Sequence, residues 1–374
     1  MKVFIDGLIF GRQKWGGISR MWEEYLVRLP QHVSSMKLLI PFSFDNQSLE
    51  KVLKYRDTFG VVKDYFYWPV RYFERVKVRS KILKILYLNH SYDIFHSTLF
   101  STVFDKKIKT IVTVHDMIPE IFYKDFSDKW SRLECKKKEQ TLRNADKIIT
   151  VSHNTKKDLL EIYPWISEKK VKVIYHGLFP EPKNNPPLAT INQTFSLDLK
   201  PFKYFLYVGN RCGYKNFDIL LSLIETNPRY KESFFLCVGG EKPFQLEAYL
   251  EVKGLRKNFL FINYLSDDEL SCIYKNASAL IFPSKYEGFG LPVLEAMAND
   301  CPVVCSNKSS LPEVGGEAAF YFDADSTISL DLALKQVLKA DRTEVIRRGK
   351  ANTKRFSWDK SCRKLADVYE DAIS

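Results

Sequence analysis

The sequence predicts an α/β protein of two Rossmann-like domains, each a parallel sheet covered by helices on both faces. Three observations carry this. The chain has 374 residues, more than the roughly 100–200 of a single domain. Near-continuous apolar segments alternate with amphipathic ones along both halves, the pattern of strands buried on two faces and of helices that cover them. The stretch 179–201, FPEPKNNPPLATINQTFSLDLKP, is rich in Pro and Asn, lacks periodicity and separates the halves as a linker.

Taken in order, the first half offers the strands KVFIDGLIF, KLLIPF, YDIFHST, KTIVTVHD, KIITVS and KVKVIYHG, with helices over Arg20–Leu29 and Trp130–Ala145. The second half repeats the rhythm with YFLYVG, SFFLCVGG, LFINYL, ALIFPS, PVVCSN and AAFYF. Its helices run over Phe217–Ile224, Asp267–Asn276, Leu291–Ala298 and Ile328–Lys339. The boundaries follow: an N-terminal domain over 1–178, the linker over 179–201, a second domain over 202–355 and a final helix over 356–374 that packs back on the first domain. In such sheets ligands bind outside the carboxyl ends of the strands, so a cleft between two sets of strand ends is the expected site.

Composition narrows the class. Two cores can be buried without a covalent staple. The opening MKVFIDGLIF carries an early aspartate and no small-residue cleavage site, so it predicts a buried strand rather than a signal peptide. No apolar run reaches the ~18–20 residues of a spanning helix. The seven cysteines are scattered without a CxxC pair, which predicts reduced thiols in the cytosol. The net charge of +12 is uneven: residues 1–185 hold 33 Lys and Arg against 21 Asp and Glu, the remainder 24 against 24. A basic first domain suits an anionic membrane face or a phosphorylated substrate. Within it, residues 68–88 place cations beside an apolar stripe at helical spacing, as an interfacial helix does and as an ordinary core-packed helix also does. Lys136–Lys138 adds to the same positive face. No aromatic-interleaved RNA signature is present, and nucleic acid is not expected.

The chemistry concentrates in FPSKYEGFGLPVLEAMAND, residues 282–300. A strand ends near Pro283, the turn EGFG follows, and a helix opens near Leu291 with Pro292 in its first turn, where a missing N–H costs nothing. Gly288 and Gly290 let backbone amides approach a ligand. Those amides and the positive end of the helix make an anion site. Glu287 at the loop rim can meet a sugar hydroxyl. Glu295, one turn into the helix, can accept from both hydroxyls of a ribose.

The E-x7-E spacing within EGFGLPVLEAMA resembles the signature of glycosyltransferase family 4, whose members are retaining enzymes of the GT-B fold. The resemblance extends to GGISR near the start, TVHDMIP (113–119), ADKIITVSHNTKKDL (145–159), VIYHG (173–177), YVGNRCGYKNF (207–217), SDDEL (266–270) and SSLPEVGG (309–316). It implies that Glu295 binds the donor ribose. Glu287 would contact the transferred sugar near the reaction centre with the amides of Phe289 and Gly290, and Leu291 would join the donor site. Arg211 and Lys215 would hold the diphosphate and balance charge on the leaving nucleotide. The family pattern has Arg directly before Lys; here that position is Tyr214, so Lys215 is the firmer assignment. Gly16 and Gly17 would approach the donor phosphate or the acceptor. His115 would contact the donor sugar by carbonyl or imidazole, with Asp116 orienting it or facing the acceptor.

The resemblance further implies front-face displacement without a metal and without an obligatory enzymic nucleophile, the departing phosphate oxygen taking the acceptor proton. The pair Asp323 and Asp325 looks like a metal-binding DxD, but after a strand and before a helix it reads as a surface loop and N-cap. The phosphate-loop variant points to GDP-mannose as donor, with UDP- and deoxysugar donors open, and base selection falls around Gly239–Glu241 and Tyr264–Leu265. A saccharide or polyprenyl-linked acceptor in surface polysaccharide synthesis is implied. Two other classes compete: a sugar-nucleotide epimerase of the same architecture, which needs no acceptor, and a non-catalytic basic lipid- or RNA-binding protein, which leaves the two glutamates without a purpose.

Overall fold

A computed structural model of the chain describes residues 1–7, 9–12, 16–33, 35–39, 60–62, 92–101, 107–123, 129–179, 184, 186–211, 213–240 and 244–374. The segment 68–88 and Cys212 lie outside them. The chain divides into two compact units, residues 1–177 with 357–374, and residues 178–356.

The first unit is a parallel sheet of order β3-β2-β1-β4-β5-β6-β7 among the described residues. Its strands are β1 Lys2–Ile5, β2 Ser35–Leu39, β3 Gly60–Val62, β4 Ile94–Ser97, β5 Lys109–Val114, β6 Lys147–Thr150 and β7 Val171–Val173. β5 shows why: KTIVTV is rich in β-branched residues, and the five after Lys109 are all buried. Helices α1 Ile9–Arg12, α2 Gly17–Arg28, α3 Ile118–Ile121, α4 Lys129–Asn144 and α5 His153–Ile162 join them. The expected single strand KVFIDGLIF is corrected here. It stops at Ile5 because Asp6 turns inward, fully buried, to accept from the Thr98 amide at 2.9 Å and the Ser97 hydroxyl at 3.3 Å, as well as the hydroxyls of Thr98 and Ser101. Gly7 then takes a positive φ of 54°, and Ile9 and Phe10 belong to a helix.

The second unit repeats the design with order β10-β9-β8-β11-β12-β13. Its strands are β8 Tyr204–Val208, β9 Phe234–Val238, β10 Phe259–Ile262, β11 Ala279–Phe282, β12 Val303–Ser306 and β13 Phe320–Phe322. The helices are α6 Leu188–Phe195, α7 Asp218–Thr226, α8 Phe244–Val252, α9 Asp267–Asn276, α10 Leu291–Ala298, α11 Leu311–Gly315, α12 Thr327–Lys339 and α13 Arg342–Thr353. α6 falls inside the stretch read as an aperiodic linker, with Ile191 buried. α9 opens on a capping box: the Glu269 amide donates to Ser266 Oγ at 3.3 Å, and Glu269 Oε2 accepts from the Ser266 amide at 2.7 Å.

The last helix, α14 Trp358–Ile373, belongs to the first unit. Its stripe of Trp358, Cys362, Leu365, Ala366 and Tyr369 is buried, and Tyr369 OH lies 2.7 Å from Nδ1 of the fully buried His96. Only glycine fits at 177: a Cβ there would stand 2.3 Å from the Trp358 backbone nitrogen. Among the described residues no helix is long and apolar enough to cross a membrane. The six described cysteines are free thiols, all but Cys135 buried.

Candidate active site

In the second unit the sequence-predicted residues gather at the carboxyl ends of β8, β11 and β12. The loop after β8 reaches Lys215 and then Asn216, which is buried and holds a positive φ of 57°. Asn216 Nδ2 donates to the carbonyls of Pro283 at 3.1 Å and Ala324 at 2.7 Å, tying this loop to the segments after β11 and β13. The Lys285 amide adds a bond to the Tyr214 carbonyl at 2.8 Å. Lys215 is therefore delivered from a braced loop. Its Nζ stands 2.6 Å from Glu287 Oε1, with both side chains largely buried.

Serines hold the EGFG turn in place. Ser284 Oγ donates to Glu287 Oε1 at 2.6 Å, and the Glu287 amide donates to Ser309 Oγ at 2.9 Å. Ser310 Oγ meets the carbonyls of Glu287 and Phe289, both at 2.9 Å. Ser309 reaches its partner from a positive φ of 49°, a conformation that costs a non-glycine residue energy and so is held by its surroundings. Gly290 has φ 103°, and a Cβ there would lie 2.7 Å from Leu311 Cδ2. It opens α10, which has Pro292 in its first turn and no side-chain cap. The Phe289, Gly290 and Leu291 segment thus leads into an uncapped, positively polarised helix end. Glu295 is half-buried on that helix and accepts from Tyr274 OH at 3.3 Å.

Arg211 goes elsewhere. Its Nη1 donates to the Gly240 carbonyl at 3.0 Å, and its guanidinium lies 4.8 Å over the Phe261 ring. Burial lowers its pKa. Gly240 and its neighbour Gly239 both have positive φ, and Tyr264 beyond β10 is 52% exposed; Glu241 lies outside the described residues. Asp323 and Asp325 pair with lysines: Lys285 meets Asp325 at 2.9 Å, and Lys308 meets Asp323 at 3.3 Å. The expected N-cap role is corrected, since Ser326 caps α12 by accepting from the Ser329 amide. Among the described residues no group of three His, Cys, Asp or Glu could hold a metal ion.

In the first unit His115 and Asp116 follow β5. His115 Nε2 is buried with no hydrogen-bond partner among the described residues, and its ring stacks on His176 at 6.2 Å. Burial, helped by the Lys138 charge and opposed by Asp116, lowers the His115 pKa to about 4. Asp116 Oδ1 accepts from the Ile118 amide at 3.0 Å. Gly16 precedes α2 without a side-chain cap, its carbonyl accepting from Ser19 Oγ at 3.0 Å, and Gly17 is exposed.

Sequence reasoning missed Ser284, Ser309, Ser310 and Asn216, and it misplaced Lys138. That lysine is not part of the positive face: it is 2% exposed and pairs with Glu120 at 2.8 Å. The available signal was its position four residues before buried Leu142, on the inner face of α4.

Comparison with known proteins agrees across both units. The family profile described as Glycosyltransferase Family 4 matches residues 15–181, and that described as Glycosyl transferases group 1 matches residues 191–355. The chain is 29% identical over 278 residues to O-antigen chain mannosyltransferase B of Escherichia coli, covering 70% of each. It is 28% identical over 231 residues to O-antigen chain mannosyltransferase RfbU of Salmonella typhimurium, covering 60% of each. Among solved structures it is similar to HepE of Anabaena in complex with UDP and glucose, with TM-score 0.71, 15% identity and 98% of each chain covered. It is also similar to sucrose-phosphate synthase from Thermosynechococcus elongatus, with TM-score 0.69, 18% identity and coverage of 99% of this chain and 98% of that one. At those identities the structural likeness speaks for the fold.

Proposed function

Because the chain belongs to the retaining glycosyltransferases of family 4 and group 1, we propose that it transfers mannose from GDP-mannose to a saccharide or lipid-linked acceptor in bacterial surface polysaccharide synthesis. The observation that carries the reading is the Lys215–Glu287 pair, seated on a serine-braced glycine turn that opens an uncapped helix. A cation, a glycine turn and the dipole of a helix without a side-chain cap converge where a diphosphate needs them. The names of the two O-antigen relatives support the choice of mannose.

In this reading Lys215 exchanges Glu287 for the donor diphosphate, and Arg211 leaves the Gly240 carbonyl to add a second positive charge. Glu295 accepts from the ribose hydroxyls. Glu287, released from Lys215 but still held by Ser284, receives hydroxyls of the transferred sugar beside the amides of Phe289, Gly290 and Leu291. The bond from the anomeric carbon to the phosphate oxygen breaks, its electron pair leaving with the phosphate, and an oxocarbenium-like centre forms. The acceptor hydroxyl bonds to the same face and gives its proton to the departing oxygen. Lys215 stabilises that developing anion. His115 and Asp116, with Gly16 and Gly17, serve the transferred sugar and its acceptor. Work at the cytoplasmic face of the membrane, on an acceptor carried there, fits the basic character of residues 1–185.

The test is a thermal-shift panel of GDP-, UDP- and dTDP-sugars, since a ligand of the folded state raises its melting temperature, followed by NMR of the product anomer. A shift with GDP-mannose and an α-linked product support the proposal. A shift with none of the panel, or an inverted anomer, rejects it.

A further inference from the structure

One buried ion pair in the first unit is not used by the reaction as described. Lys138 on α4 and Glu120 on α3 lie 2.8 Å apart with side chains 3% and 7% exposed. Lys138 Nζ also donates to the Asp116 carbonyl at 3.1 Å, and it sits 5.2 Å from the centre of the Phe100 ring. The second Glu120 oxygen accepts from Tyr163 OH at 3.2 Å. One ammonium thus joins two helices and the segment after β5, and its backbone contact is one residue from His115. A buried pair of this kind is a weak source of stability, because desolvation of both charges offsets their attraction and well-packed apolar residues often serve as well. What apolar residues cannot supply is a donor to the Asp116 carbonyl.

We propose that Lys138 is a positioning residue for sugar transfer, fixing the His115–Asp116 segment through the Asp116 carbonyl while Glu120 and Tyr163 hold its ammonium in place. This rests on the reading that His115 and Asp116 serve the transferred sugar. Besides burial, the Lys138 charge and Asp116 from the same segment act on His115, and His115 in turn lowers its neighbours His176 after β7 and His96 on β4. The Lys138 charge lowers the His115 pKa, so its removal raises that value.

The test replaces the ion pair by apolar residues, K138M/E120M, and reads melting temperature, kcat, donor KM and the pH profile. The expected result is a melting temperature close to the parent, a kcat lower by on the order of 10- to 100-fold from misplacement of the segment, an unchanged donor KM, and an acid limb moved to higher pH. K138R restores kcat to within about threefold, since arginine keeps both donors. Wild-type kcat in a stable K138M/E120M makes the pair structural only and overturns the proposal. If the double variant melts below assay temperature, Y163F is read in its place. Removing one donor to Glu120 is expected to lower kcat with donor KM unchanged, and an unaltered kcat overturns the proposal equally. H115A run in parallel separates the two failures. Full turnover in H115A rejects the site reading itself, whereas loss in H115A with wild-type kcat in K138M/E120M rejects only the role of Lys138.

Discussion

Lys215 Nζ and Glu287 Oε1 stand 2.6 Å apart, each on a loop braced by other side chains: Lys215 by Asn216, Glu287 by Ser284, Ser309 and Ser310. The pair is preorganised from both sides. A cation held this way neutralises Glu287.

Glu287→Gln keeps the shape of the side chain and its acceptor for Ser284 but loses the charge opposite Lys215. Turnover is expected to fall by about 10²–10³, the scale of losing one preorganised electrostatic contact, with donor affinity changed far less. Steady-state kinetics at saturating acceptor checks this.

Asn216→Ala removes both donors to the buried Pro283 and Ala324 carbonyls and puts alanine, which tolerates the left-handed region less well than asparagine, at φ 57°. A loss of about 2–4 kcal/mol is expected from two unsatisfied carbonyls, read as a drop in urea midpoint. Asn216→Gly tolerates the backbone and should lose slightly less.

Gly290→Ala meets both a positive φ and the Leu311 methyl. The turn before α10 must shift, so donor binding and melting temperature are expected to fall together, in nucleotide titration and in a thermal scan.

Three histidines of the first unit predict acid sensitivity. Burial lowers His96 and His176 to about 3 and His115 to about 4. Unfolded histidine titrates near 6.5, so below that pH the unfolded chain binds protons that the folded chain refuses. Their contribution is complete above about pH 6.5 and is lost as pH falls towards 4 and then 3. Urea midpoints measured from pH 8 to pH 4.5 should decline below about 6.5, and His96→Gln should flatten the decline.

What was legible in the sequence was whatever local spacing encodes. Alternating apolar runs gave the two parallel sheets, and the turn at Gly290 and the helix start at Leu291 could be read because they lie within one short segment with Glu287 and Glu295. Lys138 was misread because three consecutive lysines look solvated, while the inward face of α4 is set by packing. Arg211 shares a motif with Lys215, yet its side chain turns to Gly240 and Phe261, residues brought beside it only by the order of β8, β9 and β10 in the sheet. Ser309 and Ser310 reach Glu287 across β11 and β12, a tertiary fact with no sequence period. The strand assigned to KVFIDGLIF ran too long because the burial of Asp6 depends on Ser97, Thr98 and Ser101, some ninety residues away.

The most direct measurement is calorimetric titration of GDP into the wild-type chain and into Lys215→Met and Glu295→Ala. The account predicts binding by the wild type and affinity lower by about 10- to 100-fold in each variant, as the loss of one charged contact requires. Equal affinity in all three chains would contradict it.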